Sequence, residues 1–160
     1  MVQSWTTGVQ EVRGRPCQQI TLQRMEFKQI IGCVEQFHDA FGIQNAYEPR
    51  AAISTAEAEL RHRLMAEENE EYLQAAREGD LIEIADALGD QLYILCGTIL
   101  KHGLQDKIVE VFQEIQRSNM SKLDADGKPI VREDGKILKS DQYFKPNIDA
   151  ILHPAEQVAS

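Results

Sequence analysis

The chain is short of sulfur, of aromatic rings and of positive charge, and each shortage removes a class of explanation. Its three cysteines, Cys17, Cys33 and Cys96, stand far apart with no CxxC pair among them. That count and spacing exclude a disulfide framework and a thiolate-based structural zinc site. No apolar run approaches the roughly 20 residues that a membrane span requires, so no membrane partner is expected. The start, Met1 to Thr7, lacks the charged-then-apolar order of a secretory leader, and the expected compartment is the cytoplasm. Only 17 basic residues face 26 acidic ones, a net charge of -9. A surface of that sign repels nucleic acid and anionic lipid, and no nucleic-acid partner is expected. It still admits phosphorylated small molecules, provided a divalent cation stands between the like charges.

What is present is ordinary globular material, with 42% hydrophobic and 27% charged residues in 160 positions. A chain of this length buries roughly 70% of its unfolded surface. It is read as a single domain over residues 1–160, with a helical core at about 24–118 and an extended tail at about 119–160.

Periodicity supplies the helices. Ile30, Ile31, Val34, Phe37 and Phe41 recur at spacings of three and four between about 24 and 42, and Gly42 sits where such a helix can end. Gly42 to Arg50, with Pro49, reads as a loop. Ser54 with Glu57 has capping-box spacing and opens a second helix that Gly79 stops. Asp80 with Glu83 repeats the spacing and opens a third, lasting to Lys101-His102-Gly103. A fourth is expected from Asp106 to about Arg117, with Ile108, Val109, Val111, Phe112 and Ile115 as its buried side. Asp126-Gly127 and Asp134-Gly135 are turn dipeptides that predict a short irregular β-hairpin near the C-terminus. The expected class is all-α, a bundle of four to five helices.

The second helix holds the most informative residues. At about 100° per residue, Leu60, Leu64, Glu68, Glu71 and Ala75 share one stripe, so two carboxylates ride with core leucines and no Lys or Arg accompanies them. Burying ionised carboxylates costs several kcal/mol each unless a positive charge compensates. In the third helix Glu83, Asp86 and Asp90 stack along one face, with Leu81, Ile84, Leu88, Leu92 and Leu95 roughly opposite. Antiparallel packing across the Gly79-Asp80 connection is expected to bring Glu68, Glu71, Glu83 and Asp86 to one level. Oxygen donors without Cys or a well-placed His select a hard cation, Mg²⁺ or Mn²⁺. Each cluster alone also matches a solvated helix face, and Glu83 alone matches a capping partner of Asp80; it is their combination that points to a site.

These residues resemble the all-α nucleoside triphosphate pyrophosphohydrolases, the MazG-like and phosphoribosyl-ATP pyrophosphohydrolase-like group. The pattern Glu-Glu-x-x-Glu then Glu-x-x-Asp falls on Glu67, Glu68 and Glu71, then Glu83 and Asp86. Arg61-His-Arg-Leu64, Asp90-Gln-Leu-Tyr93, Ser118-Asn-Met-Ser-Lys122 and the tail through Tyr143-Phe-Lys-Pro146 extend the likeness over roughly residues 30 to 147. The tail is most similar to a bacterial branch that includes enzymes acting on deoxyuridine triphosphate.

The resemblance implies a MazG-type bundle completed by a partner subunit, a homodimer or a dimer of dimers. It implies Mg²⁺-dependent cleavage of a nucleoside triphosphate to monophosphate and pyrophosphate, in the service of cleansing the nucleotide pool. Mg²⁺ would rest on Glu68, Glu71, Glu83 and Asp86, and Glu67 would orient or deprotonate the attacking water. Asn119 and Lys122 are candidates to meet the phosphates, and His38, with Phe37 and Phe41, to border the base. Two other readings stand beside this one. Glu35-x-x-His38 and Glu59-x-x-His62 have the spacing of di-iron bundles, although His62 lies about 160° from Leu64 and so points away from the interior stripe. A non-catalytic helical oligomerisation module would account for the helices but not for the inward acids.

Overall fold

The computed structural model describes residues 25–154. Cys17, the first residues of the expected first helix and the end of the tail lie outside the described residues. Five helices follow one another: α1 (Phe27–Ala40), α2 (Thr55–Glu78), α3 (Leu81–Lys101), α4 (Ile108–Met120) and α5 (Ile148–Leu152). The fold is all-α. Among the described residues no helix is long and apolar enough to cross a membrane.

Local chemistry sets the helix ends. Ser54 and Glu57 form both halves of a capping box on α2, satisfying backbone donors that the first turn leaves open. Gly79 closes α2 with φ of 72°, a left-handed conformation glycine adopts without strain. Asp80 then caps α3 through the amides of Ile82 and Glu83 at 2.9 and 3.2 Å. Only this half of the second expected box forms, so the Glu83 side chain is left uncommitted and exposed.

α2 and α3 pack antiparallel, and α1 crosses the C-terminal half of α3. Ile31 and Val34 of α1 meet Cys96, Ile99 and Leu100 of α3 in the buried core, with Phe27, Ile30, Leu104 and Ile108 against its edge. The loop between α1 and α2 is bolted to the end of α3. The Ala46 amide donates to Leu100 O at 2.8 Å and that of Arg50 to His102 O at 2.9 Å, while the buried Lys101 ammonium donates to Gln44 O at 2.8 Å and pairs with Glu57 at 2.5 Å. Gly103 is required here twice over. Its φ is +65°, and a Cβ would lie 2.1 Å from Glu48 O.

Three expectations need correction. The C-terminal hairpin shrinks to one isolated antiparallel bridge, Val131 with Ile137, because two closely spaced Asp-Gly turns leave too few residues for a ladder. The apolar side of α4 is not buried: Val109, Phe112 and Ile115 are exposed and Ser118 is its buried residue. α4 turns its packed side to the returning tail instead, where Ser118 Oγ donates to Phe144 O at 2.8 Å, Asn147 N donates to Glu114 Oε1 at 2.7 Å, and Arg117 stacks 4.3 Å over the Phe144 ring. The expected interior stripes are also wider than the core that forms, since Phe37, Phe41, Leu60, Leu81, Leu88, Leu92 and Leu95 all stay exposed. One chain has too few helices to cover both sides of the α2–α3 pair.

Two outcomes test this description. Gly103→Ala should lower stability by more than the ~1–2 kcal/mol that left-handed backbone costs an ordinary residue, because the added carbon meets backbone; an unchanged urea midpoint would contradict it. The Glu57 carboxyl is held down from 4.5 to about 2, first by Lys101 and then by Ser54. Because the folded value is depressed, the stability Glu57 contributes is complete above pH 4.5 and is lost as pH falls toward about 2. Glu57→Gln should therefore lower Tm at neutral pH and flatten the acid limb of the Tm–pH curve, and a limb as steep as in the wild type would contradict the pairing.

Candidate active site

The register of α2 against α3 determines which acids meet. Gln91 Nε2 donates to Glu68 O at 3.2 Å across the helix pair, which puts Glu68 level with Asp90 and Gln91. Asp86 and Glu71 follow about a turn further on. Glu83 lies seven residues from Asp90, about 10 Å along α3 at a rise of 1.5 Å per residue, near the Gly79–Asp80 turn.

Glu68 is the distinctive member. It is half-buried, and its Oε2 is shut off from solvent without a hydrogen-bond partner. Burial pushes its pKa up, and the charges of Glu71, Asp90, Glu67 and Asp86 add to that rise in that order. Desolvation and like charge both oppose ionisation, and no cation among the described residues acts on it, the nearest on this side of α2, Arg61, standing about two turns away. Glu67, Glu71, Asp86 and Asp90 are exposed around it, and Glu83 is exposed further along α3. Asp90 was visible in the sequence as a member of the Glu83–Asp86–Asp90 face, but not in the four-acid set; the inter-helix register that promotes it depends on a side chain, Gln91, that no spacing rule singles out.

The donor set consists of carboxylate oxygens, the chemistry that suits a hard cation, and an orphaned buried carboxylate oxygen is the position such an ion would satisfy. Among the described residues, however, no three His, Cys, Asp or Glu side chains are gathered into a ready metal-holding group. The acids share an electrostatic neighbourhood rather than a closed coordination shell.

The other nominated residues fall into two places. Lys122 Nζ donates to Asn119 Oδ1 at 2.8 Å at the end of α4, so these two pair with each other rather than with the acids. His38 is buried, its Nδ1 2.6 Å from Asn45 Oδ1. Beside it, Phe37 stacks on Phe41 with centroids 4.3 Å apart and meets the Tyr93 ring edge-on at 5.6 Å. Phe41 is 69% exposed, so an aromatic surface opens one turn along α3 from Asp90. His62 stands away from these groups. It is exposed, on the rim of an apolar groove of about 600 Å³ between α2 and α3 that Met65, Leu88, Leu92 and Leu95 also line. That separation leaves the di-iron reading without a pair of histidines at one place.

The scaffold is all-α, with acids from two antiparallel helices beside an exposed aromatic surface. Residues 34–119 match the family model of phosphoribosyl-ATP pyrophosphohydrolase, more than half of the 160-residue chain. The chain belongs to that family, and the protein is a hydrolase acting on phosphoric anhydrides, a nucleotide pyrophosphohydrolase in the general sense. No curated protein matches the chain. The matched span begins in α1, takes in every carboxylate discussed above and ends at Asn119, short of Lys122.

The raised pKa of Glu68 has a consequence for stability. A carboxyl whose folded value is raised favours the folded state when protonated, so that contribution is present at acid pH and is lost as pH rises through the folded value. Without added metal, Glu68→Gln is expected to raise Tm at neutral pH and to converge with the wild type toward acid pH. A lower Tm for the variant at neutral pH would contradict the strained placement of this side chain.

Proposed function

We propose that this protein is a Mg²⁺-dependent nucleoside triphosphate pyrophosphohydrolase, with Mn²⁺ as an alternative ion, that cleaves between the α and β phosphates and keeps the nucleotide pool clean. The observation that carries this reading is the buried, unpartnered Glu68 Oε2 amid the field of four further acids. Glu68, Glu71 and Asp86, with Asp90, would hold the cation; Glu83 joins them if its exposed side chain reaches back along α3. When bound, the cation supplies charge neutralisation for the polyphosphate and for the departing pyrophosphate.

The chain's own residues provide the rest. Glu67 adjoins Glu68 but is rotated by about 100° on the helix, so it borders the cluster from the solvent side. There it can orient a water or take its proton as the water attacks phosphorus. Asn119 and Lys122, already paired, present an amide and a point charge suited to phosphate oxygens. Phe37, Phe41 and Tyr93 offer the base a stacking surface, with His38 beneath it. Deoxyuridine triphosphate is the first substrate to try, on the likeness of the tail to that branch.

Assembly completes the reading. Leu88, Leu92 and Leu95 of α3 and Val109 and Phe112 of α4 leave two apolar faces uncovered. A homodimer, or a dimer of dimers, would cover them around one domain comprising the helical core and its tail.

A panel of nucleoside triphosphates incubated with Mg²⁺ and assayed for pyrophosphate tests the reaction. Turnover of at least one is expected, and Glu71→Ala should lose about 100-fold or more, at least the upper end of what outer-shell changes at metal sites cost. No turnover of any triphosphate, with or without Mn²⁺, would refute it. Lys122→Ala should raise KM for the triphosphate several-fold with kcat little changed, and unaltered kinetics would remove Lys122 from the site.

A further inference from the structure

One charged group near the acids has no partner. Arg61 lies on the inward side of α2, seven residues before Glu68, or about 10 Å along the helix. Its guanidinium rests over Gly97 of α3 beside the His38 ring: a Cβ on Gly97 would meet Arg61 Nη1 and His38 Nε2, each at 3.1 Å. Burial lowers its pKa, and the only charge that opposes this is Glu57, whose carboxylate is already taken by Lys101 and Ser54. Among the described residues Arg61 makes no hydrogen bond and no ion pair. A guanidinium carries five donors and no acceptor, and in the half-buried Arg61 none of the guanidinium nitrogens is shut off from solvent, so these donors stay available to a ligand. On the Nδ1 side of His38, Asn45 Nδ2 is buried and likewise without an acceptor, its Oδ1 being engaged by the ring. This corner therefore holds more donors than acceptors, the guanidinium and the Asn45 amide against the one lone pair that His38 Nε2 keeps when Nδ1 donates to Asn45.

Its position relative to the acids is informative. Asp90, Tyr93 and Gly97 succeed one another along α3 at spacings of three and four and so line one face. Acids, aromatic surface and unpartnered donors follow in that order, the order of phosphates, ring and ring edge in a nucleotide whose phosphates lie at the acids. We propose that Arg61 is a specificity-determining residue of the base subsite: its guanidinium donates to an exocyclic ring oxygen, selecting oxo bases such as uracil over bases that present an amino group there. This rests on the acids being the phosphate end.

The test is calorimetric binding of dUMP and dCMP, in Mg²⁺, to the wild type, Arg61→Gln and Gly97→Ala. A charged hydrogen bond is worth about 1.5–3 kcal/mol, or roughly 10–100-fold. The wild type should bind dUMP at least about ten-fold more tightly than dCMP. Arg61→Gln should bring that ratio close to one by weakening dUMP alone. Gly97→Ala, which keeps the charge but presses on the guanidinium and on His38 Nε2 alike, should do the same and serves if Arg61→Gln does not fold. No discrimination by the wild type, or equal weakening of both nucleotides in the variants, would overturn the proposal. Binding needs no turnover, so the two readings fail separately. Discrimination lost in Arg61→Gln by a protein that cleaves no triphosphate refutes the hydrolysis and keeps this assignment; turnover without discrimination does the reverse.

Discussion

A carboxylate withdrawn from water in the company of other acids costs folding free energy unless positive charge reaches it, and Glu68 is such a group. Its inward direction follows from its place on the α2 stripe with Leu64 and Ala75. Its neighbours follow from the packing of α2 on α3, pinned at that level by Gln91. The same packing sets Tyr93 and Gly97 further along the shared face, so the aromatic surface and the Arg61 corner stand where they do because Glu68 stands where it does. A structural cation is used freely elsewhere in this chain, since Lys101 is buried against Glu57 and Gln44. Among the described residues none is placed beside Glu68.

The two ends of the helix pair divide the labour. At the α3 C-terminus the apolar core, the Lys101 pair and the chain of bonds to the 43–50 loop hold α1, α2 and α3 together. Toward the α3 N-terminus packing thins out, side chains are exposed and the acids gather. Stability concentrated at one end lets the other carry groups that oppose folding, the usual compromise at functional sites.

Much of this was legible in the residues. Ser54, Glu57, Gly79 and Asp80 are local signals with local outcomes, and the helix boundaries they announce are the ones observed within a few residues. The inward turn of Glu68 could be read because a helix has a fixed angular step, whereas Glu71, expected on the same stripe, stays exposed. What escaped reading is inter-element. No spacing rule shows that Gln91 sets Asp90, not Glu83, beside Glu68, or that Arg61 and His38 share Gly97. The apolar side of α4 misled for a related reason: periodicity shows which face avoids water but not whether this chain or another copy covers it. The hairpin was overread because turn residues predict a reversal of direction, and strand pairing needs length besides.

The central claim is that the α2 and α3 acids form one divalent-cation site centred on Glu68. Titration of Mn²⁺ followed by electron paramagnetic resonance addresses it directly, in the wild type and in Glu68→Gln, across a range of pH. The account predicts a specific site in the wild type that weakens as pH falls and Glu68 takes up its proton, and that is lost in the variant. Mn²⁺ binding that is absent from the wild type, or present and indifferent both to pH and to the substitution, would contradict it.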